Sequence, residues 1–94
     1  MKIADLKHNT SKVILTAKVV SKEQPREVST RYGQMHVCNA VVEDETGKIT
    51  LTLWDKEIAA VSEGDTVKIE NGFVKEWNST LQLSVGKYGK MTVL

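Results

Sequence analysis

The sequence predicts an all-β fold: a small five-stranded barrel with one short helix between the third and fourth strands. Three observations predict it. Five stretches alternate apolar and polar residues with period two. Each has a single apolar face, and closing the sheet on itself buries all five faces without leaving strand edges open. Only one stretch has helical character, and it follows the third strand.

The first strand is "KVILTAKVV" (12–20), with Val13, Leu15, Ala17 and Val19 alternating against Lys12, Ile14, Thr16 and Lys18. Residues 21–35 contain the only proline, Pro25, which does not fit a central strand. They read as the frayed end of the first strand running into an exposed loop. The second strand is "HVCNAVVE" (36–43), with Cys38, Ala40 and Val42 facing the core. "DETG" (44–47) reads as a turn in which Gly47 supplies a positive φ. The third strand, "KITLTLW" (48–54), sets Ile49, Leu51 and Leu53 against Thr50, Thr52 and Trp54. Residues 55–65 read as the helix, stopped at Gly64. The fourth strand (66–74) is interrupted at Asn71-Gly72, a bulge signal. "KEWNS" (75–79) reads as a turn, and "TLQLSVG" (80–86) is the fifth strand. Three strands, a helix and two strands is the order of the OB-fold. An SH3-like barrel competes but usually lacks the helix. The chain reads as one domain, 1–94, with residues 1–11 as a lead-in.

Composition narrows the function classes. The chain has 94 residues and a net charge of +1, so binding by global electrostatics alone is disfavoured. A nucleic-acid binder of this balance must gather its cations on one face or use contacts other than charge. One cysteine permits no internal disulfide. The two histidines and the cysteine have no metal-ligand spacing, and no cofactor is expected. No apolar run approaches the ~20 residues of a membrane span, and the first ten residues carry no leader-like segment. A cytoplasmic location follows as the expectation. No Ser/His/Asp or Cys/His set, no carboxylate pair and no phosphate-binding glycine loop points to catalysis, so the chain is not expected to be an enzyme.

Residues 40–87, "AVVEDETGKITLTLWDKEIAAVSEGDTVKIENGFVKEWNSTLQLSVGK", resemble the OB domain of archaeal single-stranded DNA-binding proteins. They are also similar to the large-subunit domains of replication protein A and to the human simple single-strand binders. The "DETG" turn, the alternating strand ending in Trp54 and the "EGD" that follows carry the resemblance; "ADLK" (4–7) resembles the family's lead-in. The resemblance implies single-stranded DNA lying across the second and third strands. It also implies bases stacked on aromatics at Trp54, Phe73 and Trp77.

The residues bear on this independently. Trp54 has the parity of the threonines, not of the core leucines. It serves as a stacking platform or else caps the barrel end beneath the helix. Phe73 falls inward by strict alternation from Val67 and Ile69, and outward if Asn71-Gly72 shifts the register by one. Trp77, in a polar turn, meets bases or folds onto the rim. Arg26, Arg31 and Tyr32 in the 21–35 stretch form a candidate clamp, since arginine pairs with phosphate and stacks on bases. Lys75 and Lys87 flank the proposed groove, and Tyr88 is a further candidate stacker. Asp44, Glu45 and Asp65 read as turn and loop residues.

The expected function is sequence-tolerant binding of single-stranded DNA in replication, recombination and repair, by a monomer. Replication or repair proteins are candidate partners. Two alternatives stand: an RNA-binding OB domain, and a protein-interaction OB module of a larger complex.

Overall fold

The computed structural model of the chain describes residues 1–54 and 56–94, with residues 56, 77 and 86–88 described by backbone alone. A 3-10 turn, Ile3–Asp5, opens the chain. It is followed by β1 (Val13–Lys22), β2 (Arg26–Thr30), β3 (Gly33–Asp44), β4 (Gly47–Trp54), α1 (Lys56–Ala60), β5 (Thr66–Trp77) and β6 (Thr80–Val93). The sheet runs β1-β5-β6-β4-β3-β2, and β1 also pairs with β3. That extra pairing closes a five-stranded barrel and leaves β2 as an appendage on β3.

β1 makes closure possible by serving two neighbours. Residues Val13 to Lys18 pair with β5, and Lys18 to Lys22 pair with β3, across a register shift between Val19 and Ser21. The inner wall is aliphatic, as the alternation predicts. Ala40, Leu51, Leu83 and Val74 stand in register across β3, β4, β6 and β5, and none is more than 1% exposed. Each large aliphatic so buried contributes roughly 1.5–3 kcal/mol.

Five expectations need correction. The 21–35 stretch is not an irregular loop: Arg26–Thr30 pairs with Gly33–Val37 to form a β arm. Pro25 ends just outside the strand, so its missing N–H costs no ladder bond. The helix is five residues long, because Gly64, at φ +93°, turns the chain back onto β1. There its N–H donates to the Val19 carbonyl (2.8 Å). Lys22 Nζ caps the helix end, donating to the carbonyls of Ile58 and Val61. The 75–79 stretch is strand up to Trp77, and only Asn78 and Ser79 turn, at φ 50° and 63°. The last strand continues to Val93, so residue 88 lies within it. Finally, Gly47 has no positive φ. The Glu45-Thr46 turn is held by the Asp44 carboxylate, which accepts from the Thr46 hydroxyl and from the backbone N–H groups of Thr46 (2.7 Å) and Gly47 (3.2 Å).

Asp44 also fastens the lead-in, accepting from the Ile3 N–H at 2.8 Å. Burial alone would raise its carboxyl. The bonds from the Thr46 hydroxyl and from the Ile3, Thr46 and Gly47 amides outweigh that and lower it from 3.8 to about 2. Ile3 and Leu6 thereby plug one end of the barrel. Further along, the lead-in pairs with β5: Asn9 N–H donates to the Val74 carbonyl (2.9 Å), and Val74 N–H to that of Thr10 (2.8 Å). His8 Nδ1 accepts from the Glu76 N–H at 2.9 Å.

Candidate nucleic-acid interface

Strand register places the candidate residues. On the outer face, Asn39, Thr52, Ser84 and Phe73 form one row across β3, β4, β6 and β5. Val41, Thr50, Gln82 and Lys75 form the next row in one direction. In the other direction, Arg26, Val37 and Trp54 form a row across β2, β3 and β4. Trp54 and Phe73 therefore share the outer face, two strands and one row apart. Their Cα atoms stand about 12 Å apart by ordinary strand spacing and rise.

Trp54 is half-buried and lies on the outer wall. Its backbone N–H donates to Glu57 Oε1 at 3.0 Å, which joins the strand end to the helix start. Burial raises the Glu57 carboxyl against the lowering effect of that bond. The indole closes one end of a groove whose other walls are Arg26, Val28 and Thr30 of the arm. Val37, Asn39, Thr52 and Gln82 form the floor. A second hollow continues from Trp54 toward Met35 and Tyr32.

Phe73 faces outward because of the bulge at Asn71-Gly72. Asn71 has φ 55°, and the β5–β6 register shifts between Glu70 and Gly72. Val67 and Ile69 point inward before the bulge and Val74 after it, all fully buried, so Phe73 takes the outer position and is half-buried. Lys75 Nζ sits 5.6 Å from its ring centroid, a cation–π contact.

The arm tip is built for exposure. Gly33 takes φ +108°, which an L side chain rarely adopts, and so completes the Arg31-Tyr32 turn. The Thr30 hydroxyl donates to the Gly33 carbonyl at 2.8 Å. Tyr32 is 84% exposed, with the Arg31 guanidinium 5.9 Å from its ring. Arg26 and Lys75 are exposed at opposite rims. His36 lies opposite Glu27 on the far face of the arm, away from the groove.

The side chains of Trp77, Lys87 and Tyr88 lie outside the described residues. The backbone of Trp77 ends β5, opposite Thr80 and four residues beyond Phe73. The sequence reading missed two sets of residues. Asn39, Thr52 and Gln82 make the polar floor, and their signal was present in the parity of β3, β4 and β6. The Asp44 hub had only a turn signature. Among the described residues, no group of three or more His, Cys, Asp or Glu side chains is placed to hold a metal ion. No helix among them is long and apolar enough to cross a membrane.

A closed barrel of this strand order, with a helix between β4 and β5, is an OB fold. A family model described as "Single-stranded DNA binding protein Ssb-like, OB fold" matches residues 4–93, and the chain belongs to that family. It is 36% identical over 90 residues to the single-stranded DNA binding protein Ssb of Saccharolobus solfataricus, covering 96% of this chain and 61% of that protein. It is 30% identical over 86 residues to replication factor A of Methanothermobacter thermautotrophicus, covering 90% of this chain but 11% of that protein. The chain thus spans less than two thirds of the length of either relative. An OB domain from Thermoplasma acidophilum superposes with TM-score 0.86 at 26% identity, over 100% of this chain and 85% of that one. The second OB-fold domain of replication protein A from Methanococcus maripaludis superposes with TM-score 0.81 at 29% identity, over 100% and 93%.

Proposed function

We propose that the chain is one OB-fold unit that binds single-stranded DNA with little sequence preference, in replication, recombination and repair. The observation that carries this reading is the shared outer face of Trp54 and Phe73, with an open groove between the arm and β6. Every base offers a π face, so stacking tolerates any sequence and contributes roughly 1–3 kcal/mol per base. Arg26, Arg31 and Lys75 stand at the rims, where a phosphate backbone would run. In this reading Tyr32 covers the strand from the arm tip, while Trp77, Lys87 and Tyr88 extend the contact along β5 and β6. Membership in the Ssb-like family supports the same conclusion. The action is binding and not catalysis, in the cytoplasm, with replication or repair proteins as partners.

Fluorescence anisotropy of a labelled oligothymidine tests this. The account expects saturable binding that duplex DNA fails to compete, because paired bases hide their faces. About three phosphate contacts give a log–log salt slope of about −2. Equal competition by duplex, or a slope several times steeper, would point to backbone charge alone. A matched RNA oligonucleotide in the same assay decides between DNA and RNA.

A further inference from the structure

The groove floor beside Trp54, between the arm and β6, is largely polar, and one pair on it meets side chain to side chain. Asn39 and Thr52 stand directly opposite each other on β3 and β4, one row from Trp54. Thr52 is 8% exposed, the one buried polar side chain among the described residues. Its hydroxyl lies 3.5 Å from Asn39 Oδ1, at the long end of hydrogen-bond distance. Thr52 donates to the amide oxygen, which leaves the NH2 as the remaining donor of a residue that lines the groove. One row is roughly 7 Å along the strands, so a base laid on the indole brings its edge over Asn39.

We infer that Asn39, oriented by Thr52, reads the group at C4 of a pyrimidine that stacks against Trp54, its NH2 donating to a carbonyl there. This rests on the single-strand reading above and adds a base preference to it. The NH2 group is a donor. It satisfies thymine, whose O4 accepts, and opposes cytosine, whose N4 amino group also donates. The two rings are alike in size, so stacking alone separates them little. Asn39 is then a binding residue and Thr52 a positioning residue, acting through the amide it orients.

Oligothymidine and oligocytidine of equal length, titrated against the whole chain, test the inference. Wild type should favour thymidine by about fivefold, the order of one neutral hydrogen bond. Asn39→Ala should lose that preference, and Thr52→Val should erode it while retaining most of the thymidine affinity. Asn39→Asp replaces the donor with an acceptor suited to the cytosine amine, and should move the ratio toward or past unity in favour of cytidine. Trp54→Ala should weaken both strands and lower the ratio as well, because no indole then holds the base over Asn39. Should Asn39→Ala not fold by circular dichroism, Asn39→Asp and Thr52→Val still decide. A ratio unchanged in folded Asn39→Ala or Asn39→Asp overturns the inference while the single-strand reading stands. Wild type binding neither strand overturns the single-strand reading itself.

Discussion

The barrel wall and the arm are both antiparallel sheet, yet they are held differently. In the wall, β4 has neighbours on both sides, and its inward leucines, Leu51 and Leu53, are fully buried. In the arm, β2 pairs only with β3, and none of its residues is buried. Only Val37, at the base of the arm on β3, is buried. Local stability follows buried contacts and protected backbone bonds. The fold therefore concentrates its stability in the inner wall and sets the groove's movable edge in the arm. Trp54 lies at the junction: its backbone belongs to the wall and its indole to the groove.

The largest effect that sharpens this contrast is a core truncation. Leu51→Ala should cost about 2–5 kcal/mol of stability in a denaturant melt, while Val28→Ala in the arm should cost well under half of that. Gly72→Ala comes next. An added Cβ would stand 3.0 Å from Ile69 Cγ2 and 3.1 Å from the Ser84 backbone oxygen, which cannot step aside. The overpacking should cost about 1–3 kcal/mol in the same melt. Trp54→Ala should lower oligothymidine affinity by about 1–3 kcal/mol and leave the melting midpoint nearly unmoved. If instead the protein unfolds, the indole belongs to the wall. Ser79→Gly should stabilise by about 1 kcal/mol, because Ser79 holds φ 63° in a two-residue turn that favours glycine. The contribution of Asp44 is read in acid. Its carboxyl is lowered from 3.8 to about 2 in the folded chain, so its contribution is complete above about pH 4 and lost as the pH falls toward 2. An acid titration of stability should show that loss, and Asp44→Asn should flatten it.

Much of the wall was legible in the sequence because alternation and burial are the same fact read twice. Val13 to Val19, Cys38 to Val42 and Ile49 to Leu53 declare their inner face by type. The bulge was legible too, since Asn71-Gly72 is poor strand material in the middle of a good strand. The arm was not legible. "REVST" has one aliphatic residue and no buried face, and its pairing with Gly33–Val37 leaves almost no apolar pattern. The extra length of β5 past Val74 escaped for a related reason. Lys75, Glu76 and Trp77 are strand because β6 and the lead-in pair with them, a tertiary effect that no local preference records. The helix was overread because its end was set at the Gly64 stop signal, although 61–65 (Val-Ser-Glu-Gly-Asp) is poor helix material and is bound to β1 through Gly64 and Asp65. Of the outward placements, that of Trp54 agrees with its parity, and that of Phe73 required the bulge. Asn39 and Thr52 have no distinguishing type and emerge only when the strands are placed in register.

The most direct test of the stacking shelf is intrinsic indole emission titrated with oligothymidine in molar salt, comparing wild type with Trp54→Phe. Deep quenching that survives the salt in wild type and is sharply reduced in the variant is the predicted result. Emission that stays constant as the strand binds, with binding itself abolished by the salt, would contradict it.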